Sequence, residues 1–229
     1  MKRFKRIIVI VTDSVGAGGA PDAERFGDEG ADTLKHIYEA VPGGLKIPNL
    51  LRLGWEKATH IHPEGVKIVG SYGRMREISN GKDTTSGHWE FMGNPVENPF
   101  PVFYDAFPQD LLDTFTKKTG HEWLGNEVAS GTEIIARLGP EHIQTKKPIV
   151  YTSADSVFQI AAHTDVIPLE ELYRICEVTR KEVCVGPYEV GRVIDRPFVG
   201  EPGNFVRTGD RQDYSRLPER KMVFSYLKE

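Results

Sequence analysis

The feature that most constrains this chain is the stretch "RIIVIVTDSVGAGG" near its start, a run of β-branched and aliphatic residues from Ile7 to Val11 that ends in Asp13 and then glycines. A continuous apolar run without alternation reads as a strand buried on both faces of an α/β sheet, and such a strand opens a ligand site at its carboxyl end. The run is too short for a signal-peptide core or a membrane span, so no membrane association is expected. Asp13 is then placed either to hold a hard cation or to cap a turn, and spacing does not decide between them. The glycines that follow fail the dinucleotide pattern G-x-G-x-x-G, because Pro21 occupies the last glycine position.

Elements alternate along the rest of the chain. "ADTLKHIYEAVPGG" predicts a helix capped by Asp32 and stopped by Pro42-Gly43-Gly44, "IPNLLRLG" a second short helix, and "KIVGSYGRMREIS" a strand. Three prolines in "PVENPFP", residues 95–101, mark a crossing between domains. Beyond it, "FPQDLLDTFTKKTG" predicts a helix stopped at Gly120. "GTEIIARLGP" predicts another ending at Gly-Pro, "PIVYTSAD" a strand, "PLEELYRICEVTRKEV" a helix, "VGRVIDRPFVG" a strand and "PERKMVFSYLKE" the start of a last helix.

A net charge of -4 supplies no field for binding nucleic acid. Cys176 and Cys184 are too few for a disulfide framework and too far apart for a zinc cluster, which fits a reduced, cytoplasmic setting.

The densest polar stretch is "GKDTTSGHWEFMG", residues 81–93. Asp83-Thr84-Thr85-Ser86 opens a short helix that Gly93, Asn94 and Pro95 end. The same residues serve as a plain helix cap or as a phosphate site, since a helix N-terminus offers free N–H groups to an anion. A threonine used as nucleophile there needs a metal, a base or that terminus to stabilise its alkoxide. Of the histidines, His60 and His62 in "THIHPEG" are expected in a solvated turn, His88 to buttress the turn at Thr84, and His163 to pack.

In combination, "VTDSVGAGGAPDA", "GKDTTSGHWE", "YTSADSVFQIAAH" and "VGRVIDRPFVGEPGNFVRT" resemble the phosphopentomutases, a family of the alkaline phosphatase superfamily. The resemblance implies an α/β fold: an alkaline-phosphatase-like doubly wound core, here its N-terminal part only, with an inserted smaller α/β cap. The domains expected are core over residues 1–98, cap over 99–217, and the start of a return to the core over 218–229. It implies that (deoxy)ribose 1-phosphate and (deoxy)ribose 5-phosphate interconvert through a phosphothreonine and a bisphosphate intermediate, with a sugar bisphosphate as activator. Thr84 corresponds to the nucleophile. Asp13 and Thr84 correspond to ligands of a centre of two Mn2+, and Ser153, Asp155, Arg192 and Arg207 to contacts with the sugar phosphate. The family's later block of ligands, including an aspartate-histidine-glycine-asparagine motif, has no counterpart among these residues. The expectation is weak manganese binding and little turnover by this chain alone, with self-association or a complementing chain covering its apolar faces. A phosphosugar-binding module without chemistry is the alternative that the same arginines allow.

Overall fold

The computed structural model describes residues 6–12, 15–62 and 65–229, so Asp13 lies outside the described residues. The chain divides into two compact units, Met1–Glu77 and Ile78–Glu229.

The first unit carries three short helices, α1 (Thr33–Ala40), α2 (Pro48–Arg52) and α3 (Trp55–Ala58). Asp32 caps α1 as its position predicts, its carboxylate accepting the Lys35 N–H at 3.3 Å. Leu34, Leu51 and Ile61 form a small buried cluster, flanked by Tyr38, Leu45, Ile47, Trp55 and Val66. Two strand expectations fail here. Residues 6–12 and 67–77 are assigned to no strand, and Ile7 and Ile10 stand 81% and 83% exposed. A strand exists only through a partner's ladder, and among the described residues none pairs with either segment.

The second unit is built on a mixed six-stranded sheet, β1 (Leu124–Val128), β2 (Ile149–Thr152), β3 (Val157–His163), β4 (Arg192–Glu201), β5 (Asn204–Arg207) and β6 (Asp213–Ser215). Its order is β1-β2-β3-β4-β5, with β6 also pairing β4. β1–β2 and β3–β4 are parallel and the remaining pairs antiparallel. The helix between β1 and β2 is α6 (Gly131–Thr145), and that between β3 and β4 is α7 (Leu169–Val178). Because β2 and β3 run in opposite directions, two right-handed crossovers stepping the same way along the sheet must put these helices on opposite faces.

The core follows that rule. Val150, Phe158, Ile160 and Val193 pack against α7 and α5 (Gln109–Thr119) on one face, through Leu112, Phe115, Leu172 and Ile175. Ile149, Tyr151, Ala161 and Phe198 pack against Ile134 and Ile135 of α6 on the other. The alternation along β4 therefore assigns Arg192, Ile194 and Arg196 to the α6 face and Val193 and Asp195 to the α7 face.

α5 ends at Gly120 with φ 80°, as its glycine predicts. α6, by contrast, runs through Gly139-Pro140 to Thr145 instead of stopping there. The added turn is held from outside: buried His142 bonds through Nδ1 to the Lys147 carbonyl at 2.7 Å and through Nε2 accepts the His163 N–H at 2.9 Å. That fixation outweighs the helix bond lost at proline. α4 (Thr84–Phe91) precedes the sheet, and α8 (Val223–Lys228) follows it, presenting Phe224, Tyr226 and Leu227 to solvent.

Candidate functional site

The first turn of α4 has its local structure written in four residues. Asp83 has extended backbone angles (φ -72°, ψ 159°), which turn its carboxylate back onto the helix. Oδ1 accepts the N–H groups of Thr85 at 2.9 Å and Ser86 at 3.1 Å, and Oδ2 accepts the Ser86 hydroxyl at 2.6 Å. Gly81 is required by this packing, since a Cβ there would come within 2.9 Å of Ser86 Oγ and 3.2 Å of Asp83 Oδ2. Asp83, Thr85 and Ser86 are buried, whereas Thr84, the first helical residue, is exposed. The capping network thus leaves one hydroxyl of the group facing solvent at the positive end of the helix.

The far end of α4 is fixed as firmly. The Glu90 carboxylate accepts the N–H groups of Ile78 at 2.9 Å and Ser79 at 2.7 Å. Burial opposes that charge, but hydrogen bonding from the Ser79 side chain together with these backbone bonds outweighs it and holds the carboxyl below its ordinary range. His88 bonds through Nδ1 to the Thr84 carbonyl at 2.7 Å, so it braces the turn that carries Thr84.

Three sequence motifs meet beside this cap. Ser156, in the turn between β2 and β3, donates from Oγ to the Pro101 carbonyl at 2.5 Å and accepts the Gly191 N–H at 3.1 Å. A Cβ on Gly191 would lie 3.5 Å from Asp83 Oδ1, so the entry to β4 runs against the α4 cap. Arg192, the next residue, donates from Nη1 to Asp213 Oδ2 at 3.0 Å, and its Nη2 lies 3.6 Å from Asp155 Oδ2. Arg192 and Asp155 are therefore brought together, each partly balancing the other's charge. Ser153 heads the same turn, directly after β2.

Arg207 stands elsewhere. It is the last residue of β5, paired with Phe198 six positions along β4 from Arg192, which at ~3.3 Å per residue is roughly 20 Å of strand. Its neighbours are Arg196 and Arg211 rather than Arg192. Sequence reasoning missed Arg196, although the alternation Arg192, Ile194, Arg196 on one strand face was the signal that could have found it.

Among the histidines, His60 bonds through Nδ1 to Asp32 Oδ2 and the expected solvated turn understates it. His163 is buried, its Nε2 bonded to the Gly200 carbonyl at 3.0 Å, which agrees with a packing role. Cys176 and Cys184 are free, buried thiols, with burial pushing the Cys184 thiol up to about 12. Among the described residues no group of three or more His, Cys, Asp or Glu could hold a metal ion, and no helix is long and apolar enough to cross a membrane.

No protein-family model matches the chain. A phosphopentomutase of Caldanaerobacter subterraneus subsp. tengcongensis is 53% identical over 228 residues, which is 99% of this chain and 57% of that protein. The chain thus spans rather more than half the length of the curated relative it matches. Over 99% of its length the chain is therefore similar to a phosphopentomutase.

Proposed function

We propose that the chain takes part in phosphopentomutase chemistry, with Thr84 as the residue that carries the phosphoryl group. The observation that carries this reading is the exposed Thr84 hydroxyl at the start of a helix whose cap engages Asp83 and buries Thr85 and Ser86. A helix N-terminus favours the negative charge of an alkoxide or a phosphate.

In the proposed cycle phosphorylated Thr84 meets ribose 1-phosphate or ribose 5-phosphate, or a deoxy analogue. The Oγ–P bond breaks as the free sugar hydroxyl forms a new O–P bond and gives up its proton, leaving Thr84 as an alcohol and the sugar as a bisphosphate. The bisphosphate reorients and its other phosphate returns to Thr84 Oγ. A sugar bisphosphate would accordingly load the unphosphorylated enzyme. Ser153, Asp155, Arg192 and Arg207 are proposed as contacts with the sugar phosphate, arginine suiting phosphate through its planar fork.

Two Mn2+ belong to this reading, held in part by Asp13 and Thr84, and they would stabilise attacking and leaving oxygens. The described donors do not by themselves compose that site: Thr84 offers one oxygen and the Asp83 carboxylate is engaged in its cap. The reading further assigns residues 1–98 to an alkaline-phosphatase-like doubly wound core and residues 99–217, which hold the six-stranded sheet, to a cap, in a cytoplasmic protein. The free thiols support the compartment.

The test is conversion of ribose 1-phosphate to ribose 5-phosphate with manganese and catalytic sugar bisphosphate, beside Thr84→Ala. Phosphate incorporated into the chain from the bisphosphate and lost in Thr84→Ala is the expected result. Incorporation that persists in that variant would remove Thr84 from its role.

A further inference from the structure

The outer edge of β4 is covered by two short partners with a gap between them. β6 pairs Arg192, Val193 and Ile194, and β5 pairs Phe198 to Glu201. Residues 208–212 cross the gap, where Pro197 has no N–H to give and offers only its carbonyl, which accepts the Thr208 N–H at 3.0 Å. Asp195 supplies the remaining hold. Its N–H donates to the Gln212 carbonyl at 3.1 Å and its Oδ1 accepts the Gln212 N–H at 2.9 Å, so a side chain extends the β4–β6 ladder by one residue. Asp195 is 0% exposed, and its Oδ2 is buried without a hydrogen-bond partner. Burying a carboxyl with one oxygen unanswered costs stability, so packing does not account for an acid at this place.

What Asp195 holds leads to Arg192. After Gln212 comes Asp213, whose Oδ2 accepts from Arg192 Nη1 at 3.0 Å and whose Oδ1 accepts from Arg211 Nε at 2.7 Å. Alternation along the paired strands puts the Asp195 carboxyl on the α7 face and Arg192 and Asp213 on the α6 face. The backbone carries the restraint from one face to the other: with Gln212 fixed, the next residue turns its carboxylate to the guanidinium. β6 has only three residues, and its other end is tied by the Arg216 N–H to the Gly191 carbonyl at 2.9 Å.

We infer that Asp195 is a positioning residue for Arg192, acting from the opposite face of the sheet through Gln212 and Asp213. Its bearing on substrate rests on the reading that Arg192 contacts the sugar phosphate. The groups that face the Asp195 carboxyl are Cys176 of α7, Tyr214 of β6, Asp213 and Arg211 beside Gln212, and Arg196 on β4. Its partner on β3, Ile160, carries no charge. Burial pushes the Cys176 thiol and the Tyr214 hydroxyl up, so both stay neutral at neutral pH. Burial, with the Asp213 charge, raises the Asp195 pKa to about 6, so the closed edge prefers the protonated acid and loosens as pH rises from 3.8 through about 6.

The test follows the Arg192 Nε–H resonance and amide exchange over residues 212–215 in the full chain without ligand. Asp195→Ala is expected to move that resonance toward the position of an unrestrained arginine and to lower protection over 212–215 about tenfold, the size of one lost hydrogen bond. Asp195→Asn keeps the oxygen that accepts the Gln212 N–H and should restore both. In the wild type, protection over 212–215 should be roughly tenfold to a hundredfold higher at pH 4 than at pH 8, and Asp195→Asn should remove that difference. This comparison decides the matter even where Asp195→Ala does not fold. An Arg192 resonance unmoved in folded Asp195→Ala, Asp195→Asn as perturbed as Asp195→Ala, or equal wild-type protection at the two pH values overturns the inference. Calorimetric titration with ribose 5-phosphate then ties it to substrate: Asp195→Ala should weaken binding about tenfold, in the same direction as Arg192→Gln. Binding indifferent to Arg192→Gln would remove Arg192 as a substrate contact, while the resonance and the exchange still decide the role of Asp195.

Discussion

The two units solve the problem of burying an apolar face in opposite ways. Residues 78–229 wrap helices around both faces of a sheet, so that side chains as large as Phe115, Phe158 and Phe198 reach 0% exposure. Among the described residues of 6–77 the buried hydrophobic side chains are Leu34, Leu51 and Ile61, while Ile7, Ile8 and Ile10 stand more than two-thirds exposed. Since each fully buried large apolar side chain contributes roughly 1.5–3 kcal/mol, the stability of the chain is concentrated in the second unit. Apolar sequence alone therefore does not make a core. The run at 7–11 is the most hydrophobic in the chain, yet it is exposed where the less hydrophobic β4 is buried, because β4 has paired strands and helices around it.

The sharpest way to break this contrast is to cut into the larger core. Phe115→Ala should cost about 3–5 kcal/mol in urea denaturation of the second unit. Amide exchange in β3 should rise steeply while that of α1 stays where it was. A loss below about 1 kcal/mol would mean that burial in this unit is not what stabilises it.

Next in size is a change with pH. Asp195 lies buried on the α7 face with one carboxylate oxygen bonded to the Gln212 N–H at 2.9 Å and the other unpaired, and burial raises its pKa to about 6. A carboxyl that holds its proton more tightly folded than unfolded favours the fold at low pH. Its contribution declines as pH rises from the ordinary value near 3.8 through about 6 and is absent above that. Asp195→Asn should therefore match the wild type near pH 4 and exceed it at pH 8 by up to about 3 kcal/mol, in the second unit alone. Equal stabilities at pH 8 would contradict it.

How much of this was legible in the sequence divides along the same line. Helices α1, α4 and α5 are marked by Asp32, Asp83 and Gly120, whose effects are local and need no partner. Strands are not local: β1, β5 and β6 hold few apolar residues and exist through ladders to β2 and β4, while the run at 6–12 reads as a strand and has none. Pro140 shows the same limit within a helix, where two bonds to His142 from outside the helix carry α6 past its apparent stop. At the candidate site, Thr84, Asp155 and Arg192 are marked in the sequence because each stands in a motif. Arg196 carries no such mark, and what orients it is Gln159 on the neighbouring strand.

The smallest effect is expected where the first unit depends on a single polar group. Asp32 both caps α1 and meets His60, and the hydrogen bonds and the histidine's charge outweigh burial to hold its carboxyl below the ordinary range. His60 in turn lies under the glycine loop, where a Cβ on Gly18 would come within 2.5 Å of its Cε1 atom. Asp32→Ala removes the cap and frees the ring together, and a lost cap alone costs about 1 kcal/mol. Asp32→Asn keeps an acceptor for the Lys35 N–H, so it should recover most of the α1 cap while weakening the hold on His60. Amide exchange separates the two roles: α1 should be restored in Asp32→Asn, and the loop at 15–20 should remain faster in both variants. If instead both segments recover together, the cap alone organises this unit and the histidine is a bystander. In that case the first unit, like the second, owes its order to backbone bonds and burial, and its polar contacts add little.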